Sequence, residues 1–496
     1  MRGLMLLGSY LIAIIISLSL CTCALSHKLY IYNNVIYPVD YGILQARSGV
    51  ERYRILYDCH KMAVEKGYNI SYRGIDELEI EIPQGAASIP LTCQTDFAGV
   101  KIKVMNRAQS MYLFKLTQTL QNVTVSAKEI DYSNFKTNSK LNNDRFLLII
   151  KDRTPWVNNR KGYSYGVNRM DIMIVNKGTS KTKPIQPYNN EASNPECQFC
   201  SIPNTHIAFR NIFFERTNNS TKMTYLVSIE NQAYVTLSKV SVKTPEGHNM
   251  FGDAAISVTN VANLTMRDIE INGTYSQKNK YGYGVCLNNI MNLRIDNMRG
   301  YAEWGVFGNN NINCAKLSNC NINRFDIHCY GRDVSFSHCN FENLYNQFSS
   351  FYGKMTFTHC TFKNFTPVLI ESSYNAYTPF DIIWKDCVFN LDSMHNCLLN
   401  LMELTSDRNP RREVNRKCIP NIYINKCIIN ALPELKTWNI IETGKVNYIE
   451  PLDYIHSIFI SGLKINAEEL QMKIFSQDVK TTSPVRIKTS RIKFRR

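Results

Sequence analysis

The sequence predicts an all-β fold: a right-handed parallel β-helix, a solenoid, with an N-terminal capping helix. Three observations predict it. One template, apolar-x-apolar-x-x-apolar-x-apolar, recurs in copies that open at Ile207, Val235, Leu264, Leu293, Ala315, Val334, Met355, Ile382, Ile422 and Ile458. An asparagine stands four residues ahead of four copies, at Asn231, Asn260, Asn289 and Asn311. Cys320, Cys339, Cys360, Cys387 and Cys427 share one template position.

Each half of the template alternates with period two, so each is a short strand with one buried face. The two residues between the halves break the alternation and mark a bend. Val227/Ile229, Ile256/Val258 and Val285/Leu287 supply a third strand before each asparagine. Asparagine tolerates left-handed backbone and can bond to a stacked neighbour, which suits a repeated turn. A coil therefore reads strand, Asn turn, strand, bend, strand, with coils stacked at about 4.8 Å. The uneven spacing of the copies predicts loops of varied length leaving from one place in each coil. A propeller would need four strands per unit, and a leucine-rich repeat would keep a tighter period. The cysteines should form a buried column of small apolar side chains. Stacked side chains run parallel, whereas a disulfide needs crossed geometry, so these thiols are expected to be mostly free.

Residues 1–26 read as a signal peptide, with Arg2, an apolar run from Leu4 to Leu20, and small Ala24 and Ser26 at the cleavage site. The same run is just long enough for a retained anchor. Residues 27–200 hold the cap helix and irregular first coils. Arg52 to Lys66 reads as an amphipathic helix with Ile55, Cys59, Met62 and Ala63 on one side. Leu78–Ile82, Val100–Val104, Val123–Val125 and Phe146–Ile150 read as strands. The polar stretch 178–204 reads as a loop or boundary, and it carries Cys197-x-x-Cys200. No second CxxC completes a four-ligand zinc site, so a disulfide is the expectation there. Residues 201–470 form the regular β-helix. Residues 471–496 form a basic C-terminal tail, expected to be solvated.

The chain has 496 residues with 11% aromatics, too many for a disordered chain. Its formal net charge of +16 favours a polyanionic partner. Export argues against nucleic acid, and signal cleavage leaves no membrane span. The expected location is secreted or cell-surface.

Pro38-Val39-Asp40-Tyr41-Gly42, then a helix, then Leu78-x-Ile80-x-Ile82-Pro83-x-Gly85 resembles the opening segment of the pectate lyase superfamily. The coil template and asparagine ladder are similar to that superfamily too, over roughly residues 35 to 470. The resemblance implies a helix capping the open end of the coil, and chemistry on the strand after the bend. It implies a secreted protein acting on a polysaccharide, acidic by the charge argument, through lyase (β-elimination) or glycoside hydrolase chemistry. The alternative is a non-catalytic surface or glycan-binding protein on the same scaffold. Paired Asp-Asp and Gly-His-Gly, the polygalacturonase motifs, do not occur. The calcium-binding Asp cluster of pectate lyases is not recognisable, so no cofactor or metal is expected.

Alternation places a polar row on the strand after the bend: Glu270, Arg299, Tyr301, Asn321, Asn323, Asn340, Glu342 and Lys363. Such a face suits a saccharide chain; an ordinary solvated sheet face would look the same. As a site, Arg299 would neutralise a uronate carboxylate and Lys363 would take the C5 proton. Glu270 and Glu342 lie three coils apart, about 14 Å, beyond the roughly 5–9.5 Å of a glycosidase pair. Loop carboxylates such as Glu303 or Glu371 could supply one. Arg324, Asp326 and His328 form a second constellation on one face, with Asp326 placed to orient His328 as a general base. Counting back from Val334 turns Asp326 and His328 inward, as a structural network. A turn one residue shorter would turn them outward. The register of the other coils favours the inward arrangement.

Overall fold

The structure, a computed structural model, describes residues 34–123, 135–136, 145–157, 167–177, 179–180, 185, 195–203, 206–217, 224–243, 254–272, 283–301, 305–349, 351–370, 380–401, 420–443, 457–467, 470–476 and 485–495. The expected signal segment lies outside the described residues.

The chain forms a right-handed parallel β-helix. Its template copies stand in unbroken parallel register. Ile207 pairs with Val235, Val235 with Leu264, Leu264 with Leu293, and the line continues through Ala315, Val334, Met355, Ile382, Ile422 and Ile458. All ten of these side chains are buried in one continuous core. Three parallel sheets result: a leading sheet before the Asn turn, a middle sheet from the first half of the template, and a trailing sheet from the second half.

The bend is a left-handed residue just ahead of the third apolar position. Asn211, Lys239, Asp268, Asn297, Asn319, His338, His359, Asp386, Lys426 and Arg491 all sit there with φ between 52° and 63°. Left-handed backbone costs an L-residue about 1–2 kcal/mol. Stacked hydrogen bonds offset part of this, as when Asn297 Nδ2 donates to Asp268 Oδ1 at 2.6 Å.

The asparagine ladder forms as expected. Asn260 Nδ2 donates to Asn231 Oδ1, and Asn289 Nδ2 to Asn260 Oδ1, each at 2.8 Å. It leaves its line at Asn311, whose amide meets Asn288 Oδ1 at 3.4 Å. Tyr330, with φ 62°, takes the ladder position in the next coil. Longer connections fall at two places, where one was expected. Residues 244–253 and 273–282 join trailing to leading strands; 402–419 and 444–456 join leading to middle strands.

The cysteine column is buried and its thiols are free. They donate to backbone carbonyls, Cys387 to Phe357 at 3.4 Å and Cys427 to Trp384 at 3.6 Å.

Three parts of the chain differ from expectation. The cap helix α1 spans Gly49–Lys66, with Ser48 Oγ accepting from Glu51 N at 3.1 Å. It buries Tyr53, Leu56, Cys59, His60 and Ala63, so its buried face is rotated toward Tyr53 and away from Ile55 and Met62. Residues 121–201 do not remain irregular coils. Gln121–Val123, Phe135–Lys136, Arg145–Val157, Val167–Asn176, Thr179–Ser180 and Pro195–Ser201 build a separate six-stranded antiparallel sheet. One of its faces, with Leu147, Ile149 and Ile172, packs on Ala233, Ala262 and Met291, two residues past the ladder asparagines. Met170 N donates to Asn311 Oδ1 at 2.8 Å, tying this sheet to the ladder. Cys197 and Cys200 lie on its last strand. They join different apolar clusters and form no disulfide, because residues three apart on a strand face opposite ways. Finally, the expected tail is partly coil. Arg486–Ser490 and Lys493–Arg495 pair with Ser457–Ser461 and Lys464–Asn466 as an eleventh turn. Thr489 at the second apolar position hides this copy in the sequence.

Candidate functional site

The trailing sheet carries the expected polar face. Its register runs Phe213, Ser241, Glu270, Arg299, Asn321, Asn340, Thr361. A parallel row runs Glu215, Lys243, Asn272, Tyr301, and further along Glu342, Lys363, Asn390. Glu270 and Arg299 are neighbours, as are Glu342 and Lys363, as expected. Neither pair closes to an ion pair. Glu270 Oε1 instead accepts from Asn272 Nδ2 at 2.7 Å. The side chain of Tyr301, and residues Glu303 and Glu371, lie outside what the structure describes.

Asn323 is a correction. It is buried, not on the polar face, because the strand stops at Ile322 and Asn323–Arg324 turn the corner before Phe325. Two depressions mark the face. One of about 340 Å3 is lined by Asn297, Arg299, Asn319, Asn321, His338 and Asn340. The other, of about 510 Å3, holds Phe213, Lys239, Ser241, Asp268 and Glu270. Phe213 is 52% exposed, an aromatic face open to a ligand. The strand Gln94–Asn106 bulges between Asp96 and Val100, which raises the wall beside it.

The second constellation sits on the leading sheet. Phe325 and Ile327 point into the core, paired with Phe307 and Asn309, so Asp326 points away from it. A register shift between Asn309 and Asn310 reverses the alternation. The inward arrangement is therefore overturned by one extra residue, not by a shorter turn. Asp326 is nonetheless 0% exposed, because other side chains cover it. Arg324 Nε lies 2.6 Å from Asp326 Oδ2, and Gln347 N donates to Asp326 Oδ1 at 3.0 Å. Arg324 Nη2 donates to Gln347 Oε1 at 2.7 Å, and the guanidinium lies 4.5 Å from the Tyr345 ring centroid. Burial alone would raise the Asp326 pKa, but Arg324 and His328 outweigh it and hold it below the ordinary value. Burial likewise opposes the Arg324 charge, and Asp326, Tyr283 and Tyr345 outweigh it and push the guanidinium pKa up. Asp326 is thus a carboxylate with a fixed counter-ion. Arg324 is a second correction: expected at the substrate, it is fully buried and can only position Asp326.

His328 keeps 16% of its side chain exposed. Its Nε2 lies 3.4 Å from Asp326 Oδ2 and 2.9 Å from the Tyr283 hydroxyl. That hydroxyl donates to Asp326 Oδ2 at 3.3 Å. Tyr283 fits because Gly308 lies under it; a Cβ there would come 2.4 Å from the ring. A glycine at Gly305 likewise makes room for the Arg324 stem. Tyr283 and Phe213 were not reached by sequence reasoning. Phe213 could have been found as the aromatic that breaks the outward polar pattern; Tyr283 follows a connection and has no periodic signal. Among the described residues, no cluster of three or more His, Cys, Asp or Glu could hold a metal ion. Nor is any described helix long and apolar enough to cross a membrane.

The fold defines a parallel β-helix protein with an antiparallel side sheet. No protein-family model matches the chain, and no curated protein does. Solved structures are similar in fold. The tailspike protein gp49 from Pseudomonas phage LKA1 aligns with TM-score 0.60 and 13% identity, over 92% of this chain and 81% of that one. The gp54 tailspike of Acinetobacter baumannii bacteriophage AP22, solved with A. baumannii capsular saccharide, aligns with TM-score 0.51 and 10% identity, over 92% and 79%.

Proposed function

We propose that this is an extracellular or surface β-helix protein that acts on a polysaccharide, with Tyr283 and His328 as its acid–base pair. The Tyr283–His328 contact of 2.9 Å, backed by a buried ionised Asp326–Arg324 pair, carries this reading. Solvent reaches the imidazole and not the carboxylate. Asp326, ionised and buried, has no proton to give and no route to a glycosidic oxygen, so it is not itself one of a hydrolase's two carboxylates. β-Elimination fits better. A neutral His328 takes the C5 proton of a uronate, the C5–H electrons form the C4–C5 double bond, the C4–O bond breaks, and Tyr283 protonates the leaving oxygen. The likeness to a tailspike solved with capsular saccharide supports a saccharide substrate by analogy of fold. Incubation with a panel of uronate-containing polysaccharides tests it. Unsaturated product absorbing at about 235 nm is expected; new reducing ends without it would mean hydrolysis.

A second reading, glycan binding without turnover, is favoured by the trailing face. Phe213 offers a stacking platform and the amide row offers hydrogen bonds at rung spacing. Retention of a glycan that Phe213→Ala weakens and His328→Ala leaves intact, with no product formed, would favour this reading.

A further inference from the structure

Among the described residues, the last two coils carry cations and no anions. From Ser457 onward the described residues include no carboxylate. Lys464, Arg486, Lys488, Arg491 and Lys493 are all exposed, and none forms an ion pair with another described residue. Their placement follows from the register. Lys464 and Lys493 are adjacent on the trailing sheet. Arg486 and Lys488 face outward from the middle sheet, and Arg491 occupies the left-handed bend between the two sheets. The five charges make one strip around the corner of a rigid sheet, spaced by rungs of about 4.8 Å. Like charges side by side on a sheet destabilise it. Among the described residues of these two coils no carboxylate neutralises them.

We propose that this strip is a binding surface for an acidic polysaccharide, separate from the Tyr283–His328 site. A linear polymer with closely repeated carboxylate or sulfate groups can bridge several of these cations at once. Single-stranded nucleic acid would need open aromatic faces. Here Tyr423 and Phe459 stack on each other at 5.0 Å, and Lys488 lies 5.8 Å from the Phe459 centroid. A DNA duplex is read by an element that enters a groove, and this strip is flat sheet.

The test uses the full-length protein with Lys464→Gln, Lys488→Gln and Lys493→Gln combined, and polygalacturonate as probe. The variant should lose on the order of 100-fold in affinity at low salt, about five-fold per cation. Its affinity should also depend less steeply on salt. Lys66→Gln, on the cap helix, should bind polygalacturonate as the unaltered protein does, and the triple variant should lose affinity whether or not the polymer is cleaved, so failure of the catalytic reading does not touch this one. If the triple variant folds poorly, acylation footprinting of the unaltered protein replaces it: polymer should shield Lys464, Lys488 and Lys493 and leave Lys66 reactive. Unchanged affinity, absent shielding, or tighter binding to duplex DNA or phosphatidylserine vesicles than to polygalacturonate would overturn the proposal.

Discussion

The Tyr283 hydroxyl lies 2.9 Å from His328 Nε2 although 45 residues separate the two in sequence. Both belong to the leading sheet or its edge, and the ring of Tyr283 spans the coil between them over Gly308. Tyr283→Phe should therefore abolish turnover of any polysaccharide the protein cleaves. It removes one of several bonds to Asp326, so stability should fall by only about 1–3 kcal/mol. His328→Ala should abolish turnover with a smaller loss, since the imidazole is partly solvated. Activity assays beside thermal melts separate the two effects. Gly308→Ala should mimic Tyr283→Phe by displacing the ring.

Asp326→Ala should be far more damaging than either. It leaves Arg324 charged, buried and unpaired, a cost of about 3–5 kcal/mol. Denaturant unfolding measures it. The pH dependence has a definite sign. The folded pKa of Asp326 lies below its unfolded value, so its contribution is present above the unfolded pKa of about 3.9. It is lost as pH falls through the folded pKa. Stability of the unaltered protein should drop below about pH 4, and that part of the drop should be missing in Asp326→Asn.

His60 couples the cap helix to pH. Its Nδ1 lies 2.9 Å from the Pro90 carbonyl, which can only accept, so Nδ1 carries the proton. Its Nε2 then accepts from the Tyr72 hydroxyl at 2.9 Å. The ring is neutral and fully buried, and burial pushes its pKa down to about 3. The unfolded chain takes up a proton below about pH 6.5 and the folded chain does not. Stability is therefore complete above that pH and falls by about 1.4 kcal/mol per unit between roughly 6.5 and 3. Melting temperature measured against pH should show this slope, and His60→Gln should flatten it.

Asn260 sits mid-ladder with φ 54°, donating to Asn231 and accepting from Asn289. Asn260→Gly keeps the backbone conformation and removes both bonds, which should cost about 1–3 kcal/mol. Asn260→Ala adds left-handed strain of about 1–2 kcal/mol. Chemical denaturation should rank the unaltered protein first, glycine second and alanine last.

The coil was legible because stacking repeats it. Each template copy buries the same positions against the copies before and after, so period-two alternation, the left-handed turn and the cysteine column all leave periodic marks. Ile207 through Ile458 could be aligned by eye, and the neighbours Glu270/Arg299 and Glu342/Lys363 followed from counting. Features that occur once left no such mark. The antiparallel side sheet of residues 121–201 occurs once, with its last strand returning to pair with Gln121–Val123 and Arg145–Val157, and its alternation resembles any half-buried strand. The extra residue, His328, which has no register partner opposite Asn309/Asn310, is a local shift, yet it reverses which way Asp326 points. Burial of Arg324 depends on Gly305 leaving room and on Gln347 and Tyr345 arriving from the next coil, and the place of Tyr283 depends on Gly308. Local periodicity therefore dictated the scaffold, because a solenoid's contacts join like positions of successive coils. The tertiary structure alone decided which polar side chains converge, because that convergence depends on one bulge, one corner and two missing Cβ atoms.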